Sequence, residues 1–345
     1  MKKDIKSMTL EQLTKELTAF DMKPFRARQI FGWLHRKQVL SFDEMTDLSL
    51  SSREMLKENF TINKLEIRRK LVSKIDGTVK YLFELTDGEC IESVVMRYNH
   101  GNTICISSQV GCRMGCRFCA STLAGKVRDL KPSEMIDQIY TASRDLGEEI
   151  SNVVMMGIGE PLDNFENVLN FLEIFTCKEG INTSLRHLSL STCGVCDKIY
   201  ELAEKKLQLT LSISLHAPND EIRDRIMPVN HKWKVATLLE ACKFYIKMTG
   251  RRISFEYAMI RGVNDSDECA VQLASLLSGM LCHVNLIPIN EVAERGFKKS
   301  DKYRIQRFVD ILTSRGVTTT VRRKLGADIE AACGQLRRES AAKQP

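Results

Sequence analysis

The residues with the clearest chemical potential are Cys112, Cys116 and Cys119, a Cys-x3-Cys-x2-Cys run on a loop that also holds Gly111 and Gly115. Three thiols so close in sequence can converge on one soft metal centre. A [4Fe–4S] cluster commonly takes four thiolates. Three would leave one iron open to a small molecule, and an open position permits chemistry. The competing reading is a zinc knuckle. Zinc sites, however, are built mostly from paired Cys-x2-4-Cys units, and no second pair stands at ribbon distance downstream. The spacing favours the cluster.

Other groups in the chain suit such a centre. Gly157-Ile-Gly159-Glu160-Pro161 follows an apolar run ending at Met156. Two glycines let backbone approach a ligand, and Glu160 can accept from an ammonium group. No Gly-Lys-Ser/Thr follows, so this is not a phosphate loop of the Walker kind. Beside a three-cysteine cluster it is a candidate clamp for the amino end of S-adenosylmethionine. His216, in Ser214-Leu215-His216-Ala-Pro218, stands at the end of an apolar run and is open to a structural or a functional role. Glu92 lies among apolar residues in Cys90-Ile-Glu92-Ser-Val-Val-Met96. It is either an edge-strand carboxylate facing water or a tuned general base.

The remaining cysteines divide by surroundings. Cys177, Cys242, Cys269 and Cys282 sit in apolar or helical context and read as small core residues. Cys193-Gly-Val-Cys196 has redox or half-zinc spacing but no partner pair, which favours a structural role. Cys105 leads into the three-cysteine loop, and Cys333 precedes Gly334 near the C-terminus.

These groups need a frame. Residues 1–62 read as helical: Thr9 caps Leu10, Leu13 and Leu17, and a second helix starts near Pro24. That helix mixes Phe25, Ile30, Phe31, Trp33 and Leu34 with Lys23, Arg26, Arg28, Arg36 and Lys37. The aromatics suit a core, whereas the cations suit solvent or an RNA backbone equally. Turn signals at Asp76-Gly77, Asp87-Gly88 and 99–102 divide residues 65–110 into four strands, a small meander ending in 103–110. Further strands at 152–156, 187–192, 209–215, 253–260 and 283–288 alternate with helices at 132–146, 165–177, 234–249 and 266–280. Counting 103–110 as the first strand, this makes about six β/α units, an α/β partial barrel with parallel strands. Functional residues of such barrels sit in loops after the strands' C-terminal ends, and the motifs above fall there. Another helix (303–314), a short strand (317–322) and a tail complete the chain. The organisation expected is 1–62 helical, 63–102 meander, 103–290 (β/α) core and 291–345 C-terminal extension.

Composition sets bounds on function. Lys and Arg number 51 against 44 Asp and Glu, a net charge of +7. That mild excess is compatible with a polyanion without demanding one. The first residues lack an apolar leader, and no run of about 18 apolar residues suggests a membrane span. Twelve cysteines without an export signal point to a reducing cytoplasm.

Several motifs together resemble a known family. Cys105-Ile-Ser-Ser-Gln-Val-Gly-Cys112 with its two following cysteines, Met156-Gly-Ile-Gly-Glu-Pro161, Ser214-Leu-His-Ala-Pro-Asn-Asp220 and Ala331-Ala-Cys-Gly-Gln-Leu336 resemble the RlmN/Cfr radical-SAM RNA methyltransferases in matching order. The resemblance runs over nearly the whole chain and implies a partial (β/α)6 radical-SAM barrel. It assigns a [4Fe–4S] cluster to Cys112, Cys116 and Cys119. It gives S-adenosylmethionine, used twice per turnover, to Gly159, Glu160, Ser191, Ser214, Leu215, His216 and Asn290. It makes Cys333 the methyl-accepting cysteine, Cys105 the thiol that resolves the protein–RNA link through a transient disulfide, and Glu92 the proton acceptor. It implies 23S rRNA and tRNA as substrates, an electron donor such as flavodoxin or ferredoxin, and a monomer. Cys119-Ala-Ser-Thr-Leu-Ala-Gly125 and Gly159-Glu-Pro-Leu162 are closer to the adenine-C2 (RlmN) type than to the C8 (Cfr) type. The sequence departs from relatives at Cys196 and in 290–296. The rival readings are a C8 methyltransferase and a zinc-stabilised RNA-binding module.

Overall fold

The computed structural model describes residues 2–332 and 334–336. Cys333 lies outside the described residues. The chain opens with a short strand β1 (Lys3–Asp4), three helices, α1 (Leu10–Thr18), α2 (Pro24–His35) and α3 (Leu50–Asn59), and β2 (Phe60–Thr61), which pairs with β1. Thr9 and Gln12 form the capping box that starts α1, satisfying two otherwise orphaned amides. Helix α2 buries Ile30, Phe31 and Leu34, whereas Phe25 is exposed. Trp33 is half-buried, donates to Asp47 at 2.6 Å and carries the Lys37 ammonium over its ring. Only part of that aromatic set therefore belongs to the core.

This segment is fastened to the rest by a buried ion pair. Lys6 Nζ stands 2.8 Å from Asp137 Oδ1, both side chains 1% exposed, and Leu65 N donates to Asp137 Oδ2. A buried pair of this kind fixes one arrangement, because either partner alone would be a stranded charge.

The centre is one ten-stranded sheet. Its antiparallel part is the meander β3 (Glu66–Val72), β4 (Val79–Glu84), β5 (Cys90–Tyr98) and β6 (Gly101–Cys105). The expected strand 103–110 is divided. After Cys105 the chain gives one more amide, Ile106 N, to Val154 O and then leaves the sheet; β7 (Gln109–Gly111) pairs instead with β8 (Lys126–Asp129). The break is stabilised by buried polar groups. Gln138 on α4 (Pro132–Leu146) accepts from Ser107 N and donates to Ser107 O, and Ser107 Oγ donates to Glu92 O.

From β6 the sheet continues in parallel through β9 (Ile150–Met155), β10 (Leu188–Thr192), β11 (Thr210–Ser214), β12 (Ile253–Met259), β13 (Cys282–Pro288) and β14 (Thr319–Val321). The crossovers are α4, α5 (Phe165–Thr176), α6 (Cys196–Glu204), α7 (Asp220–Ile226) with α8 (Val235–Thr249), α9 (Asp267–Leu277) and α10 (Lys302–Ser314). The short tail strand thus joins the main sheet as its last parallel member. The two edges, β14 and β3, do not pair, so the barrel is open.

Alternation along the strands separates two faces. Leu211, Ile213, Ile253, Phe255, Tyr257, Val284 and Leu286 are buried in the main core. The other face is polar: Ser189 and Ser212 share a hydrogen bond, Ser254 Oγ donates to Glu256, and Asn285 Nδ2 donates to Glu256 at 2.8 Å. A polar lumen is what a barrel that holds a polar ligand needs. Among the described residues no helix is long and apolar enough to cross a membrane.

Candidate active site

At the C-terminal ends of the parallel strands one cavity gathers most of the motif residues. Cys112, Cys116 and Cys119 line it from the loop after β7, and Gly157, Gly159 and Glu160 from the loop after β9. Ser191 and Cys193 come from the end of β10, Ser214 and His216 from the end of β11, and Asn290 from beyond β13. Leu215 is fully buried and outside this lining; its backbone amide donates to Glu256 O and its carbonyl accepts from Arg223.

The cysteine loop is fixed by its neighbours. Cys112 N donates to Gly125 O, Arg117 N to Ile226 O, and Cys119 N to Cys116 O. Arg295 Nη2 donates to Thr122 Oγ1 (2.6 Å) and Cys119 O (3.2 Å), so the stretch 290–296, where the sequence departs from relatives, clasps this loop. Burial, together with the nearby Glu160 and Cys119, pushes the Cys112 thiol up to about 12, and burial likewise raises Cys116. Uncoordinated, these are thiols, and metal binding must release their protons. Among the described residues no three His, Cys, Asp or Glu side chains are already gathered at metal-bond distance.

The glycine loop is pressed against the segment before the cysteines. A Cβ on Gly157 would stand 2.6 Å from Ile106 O, and one on Gly159 (φ +107°) 2.6 Å from Gln109 Cβ. Only glycine permits this approach. Gln109 Oε1 accepts from Glu160 N at 2.9 Å, and Ser107 Oγ from Ile158 N. Gln109 Nε2 in turn donates to Asp129 and Asp163, and Asp163 also pairs with Lys126 at 2.8 Å and with Arg113. Glu160 accepts from Cys193 N (2.7 Å) and Leu162 N (3.0 Å). Burial raises its pKa against these bonds.

His216 has a positive φ of 57°, a conformation that aims its ring back across β12. Ala258 N donates to its Nδ1 at 3.0 Å, and burial plus the Arg223 charge holds its pKa down at about 3. The ring is therefore neutral with its proton on Nε2, a donor on the cavity wall. Phe118 meets it edge-on, with centroids 5.0 Å apart.

A second cavity adjoins the first, and Met156, Ile287, Asn290 and Arg322 line both. Cys105 opens into it with Val94 and Met96. Strand β5 lies between β4 and β6, so Glu92 is not on an edge. It is fully buried and paired with Lys80 Nζ at 2.6 Å. Val94 is registered opposite Cys105, and Glu92, two residues before Val94, shares its face. The strap after β14 covers this cavity. It is pinned on one side by Ser73 to Asp328 (2.7 Å) and Asp76 to Gly326 N (2.9 Å), and on the other by Ala120 N to Gly334 O (2.8 Å) and Ser121 to Leu336 O (2.8 Å).

The residues fit the cofactors that the motifs imply. Three thiols on one loop supply a soft donor set, and a glycine cradle with a buried carboxylate, two serines and a neutral histidine donor faces them across one cavity. Sequence reasoning gave no role to Ser107 and Gln109, although both lie within the quoted Cys105–Cys112 motif, nor to Arg295 in the 290–296 stretch, and it missed the buried Gln138 and Arg223, which lie in no motif. It also assigned Cys193 a structural role, whereas the side chain lines the cavity. Cys242 and Cys269 are buried as expected, and Cys177 and Cys282 are half-buried.

Residues 106–274 match the radical SAM superfamily, and residues 3–62 match the ribosomal RNA large subunit methyltransferase N-terminal domain. The chain is 53% identical over 334 residues to a probable dual-specificity RNA methyltransferase RlmN of Lachnospira eligens, covering 97% of this chain and 95% of that protein. It is 54% identical to the protein of the same description from Alkaliphilus oremlandii, over 97% of this chain and 98% of that one. The crystal structure of a radical SAM methyltransferase from Sphaerobacter thermophilus superposes with a TM-score of 0.92 at 42% identity, covering 97% of this chain and 99% of that chain.

Proposed function

The chain belongs to the RlmN-type dual-specificity RNA methyltransferases of the radical SAM superfamily, and from that premise we propose that it methylates C2 of adenosine in 23S rRNA, at the peptidyl transferase region, and in tRNA next to the anticodon. The observation that carries this reading is the adjacency of two cavities with Met156, Ile287, Asn290 and Arg322 in both walls, one walled by the three cysteines and the other lined by Cys105. Adenine C2 is electron-poor and offers no nucleophile to a sulfonium methyl group, so a relay through the protein is required.

In this reading Cys112, Cys116 and Cys119 hold a [4Fe–4S] cluster. Gly159, Glu160, Ser191, Ser214, His216 and Asn290, with the backbone of Leu215, hold S-adenosylmethionine. When bound, these cofactors supply the methyl group and, after reduction by one electron, a 5′-deoxyadenosyl radical, at two S-adenosylmethionine per turnover. Cys333 takes the methyl group on its sulfur, a role suited to a thiolate nucleophile. Joining the methyl carbon to adenine C2 would cost that methyl group one hydrogen atom, taken by the 5′-deoxyadenosyl group, and would cost the ring its C2 proton, accepted by Glu92, with one electron returned to the cluster. Cys105 as thiolate would then attack the Cys333 sulfur, so that a disulfide forms as the sulfur–carbon link breaks and the released carbon takes a proton to complete the methyl group. Two electrons then reduce the disulfide, as a cytoplasmic setting allows. Residues 1–62 meet the RNA, a donor such as flavodoxin or ferredoxin supplies electrons, and the enzyme acts as a monomer.

The test is anaerobic reaction of wild type and Cys333→Ala with RNA and S-adenosylmethionine under reducing conditions, with nucleosides read by mass spectrometry. Wild type yields 2-methyladenosine and 5′-deoxyadenosine, and the variant yields no methylated base. A variant that methylates as well as wild type would refute the cysteine relay, and 8-methyladenosine would refute the C2 assignment.

A further inference from the structure

Arg223 on α7 is fully enclosed. Its Nε donates to Leu215 O (3.0 Å), Nη1 to Asn230 Oδ1 (3.0 Å), and Nη2 to Cys193 O (2.7 Å) and Ser214 O (3.2 Å). All four acceptors are neutral. Among the described residues no carboxylate stands within ion-pair distance of the guanidinium, although Asp220 acts on it from further off. A buried cation without a counter-ion is costly, and arginine cannot shed its proton to escape that cost.

The surroundings show where the missing negative charge belongs. Cys193 and Ser214, whose carbonyls it grips, line the cysteine-walled cavity. Three residues beyond Arg223, Ile226 O receives Arg117 N at 2.9 Å, and the Pro228 ring abuts Gly115, at 3.4 Å from where a Cβ would stand. The segment carrying Arg223 is thus the backing of the cysteine loop. The guanidinium stands directly behind the Cys193 and Ser214 backbone that forms part of the cavity wall.

We propose that Arg223 is the fixed counter-charge of the three-cysteine centre, tying the loops after β10 and β11 in place and favouring the electron that the centre accepts. The inference rests on the cluster assignment above. In the absence of S-adenosylmethionine the electron comes from a low-potential one-electron donor and stays on the centre, and no bond in the protein forms or breaks. In a poorly screened interior a full charge acts strongly on such an equilibrium.

The test uses full-length wild type, R223K and R223Q, each reconstituted anaerobically, with midpoint potentials measured by mediated titration and electron paramagnetic resonance of the reduced centre. R223Q should shift the reduction equilibrium at least tenfold against the reduced form, equivalent to 59 mV for a one-electron couple. R223K keeps the charge while losing some of the four bonds, and should stay within about threefold of wild type. An unchanged potential in R223Q, or an equal fall in both variants, overturns the proposal. Where R223Q fails to retain iron, R223K decides alone, and a tenfold fall there overturns it. A wild type that builds no four-iron centre overturns both this inference and the functional reading, which separates the two failures.

Discussion

Gly157→Ala isolates the role of the glycine cradle. The added Cβ would stand 2.6 Å from Ile106 O, 2.7 Å from Ile106 C and 2.8 Å from Ser107 N. All three are backbone atoms, so no side chain can swing aside. Reaching an ordinary contact of about 3.4 Å requires the loop after β9 and the segment before the cysteines to part by roughly 0.8 Å, and overpacking of this kind costs about 1–3 kcal/mol. The damage reaches beyond stability, because the same interface carries Ser107 to Ile158 N and Gln109 to Glu160 N, each at 2.9 Å. A displacement near 1 Å at a positioning contact can cost about 100-fold in rate. We expect G157A to remain folded with a lower unfolding midpoint and to bind S-adenosylmethionine about 10–100-fold more weakly, as read by calorimetry on anaerobically reconstituted protein. Wild-type affinity together with a wild-type midpoint would refute the claim that the cradle needs this approach.

Asp137→Ala strands the buried Lys6 ammonium and should cost about 3–5 kcal/mol in urea unfolding, whereas Lys6→Met/Asp137→Leu should recover much of that loss; equal losses would argue against the buried pair. His35 is fully buried, and burial, then the Lys6 charge, holds its pKa down to about 3 from 6.5. The unfolded chain therefore takes up a proton that the folded protein refuses, so this contribution to stability is present above pH 6.5 and is lost as pH falls toward 3. Between pH 7.5 and 5.5 His35 should account for a loss of about 1.4 kcal/mol, which His35→Gln removes, as checked by unfolding at both pH values. Cys193→Ser should retain full iron and sulfide after reconstitution while Cys116→Ser loses them, because Cys193 lines the cavity but stands outside the three-cysteine loop. Iron and sulfide assays distinguish the two.

Strands β10 and β11 were legible because they alternate apolar residues with serine, as in Leu188-Ser-Leu-Ser-Thr192 and Leu211-Ser-Ile-Ser-Leu215. The motifs fell in the right loops for the same reason, since strand ends announce them. The split of 103–110 was not legible. Residues 104–110 are as buried as a continuous strand, and the Ser107 backbone is satisfied where the chain leaves the sheet by Gln138, 31 residues further on. Glu92 shows the same limit. Its apolar setting marked it as unusual, but the answering charge, Lys80, sits on a neighbouring strand where sequence spacing gives no sign of the pairing. Arg223 lies in a short polar helix that reads as solvated, and its enclosure depends on Cys193 from the preceding crossover and on Leu215 and Asn230 to either side of the helix.

The two-sided pinning of the strap sets the order in which the enzyme can be made. Asp328 closes on Ser73 across 255 residues, and Leu336 closes on Ser121 across 215. Neither contact can form on the ribosome until residues 328 and 336 have emerged. At about 5–20 residues per second, the stretch from Pro288 to Leu336 takes roughly 2–10 s to appear. During that interval the six parallel strands β6 and β9–β13 would lack β14 and the strap, leaving the cysteine loop and the apolar wall around Cys105 uncovered on that side. The nascent chain thus passes through a brief stage in which its thiols are open both to metal delivery and to oxidation, and synthesis of the strap ends that stage.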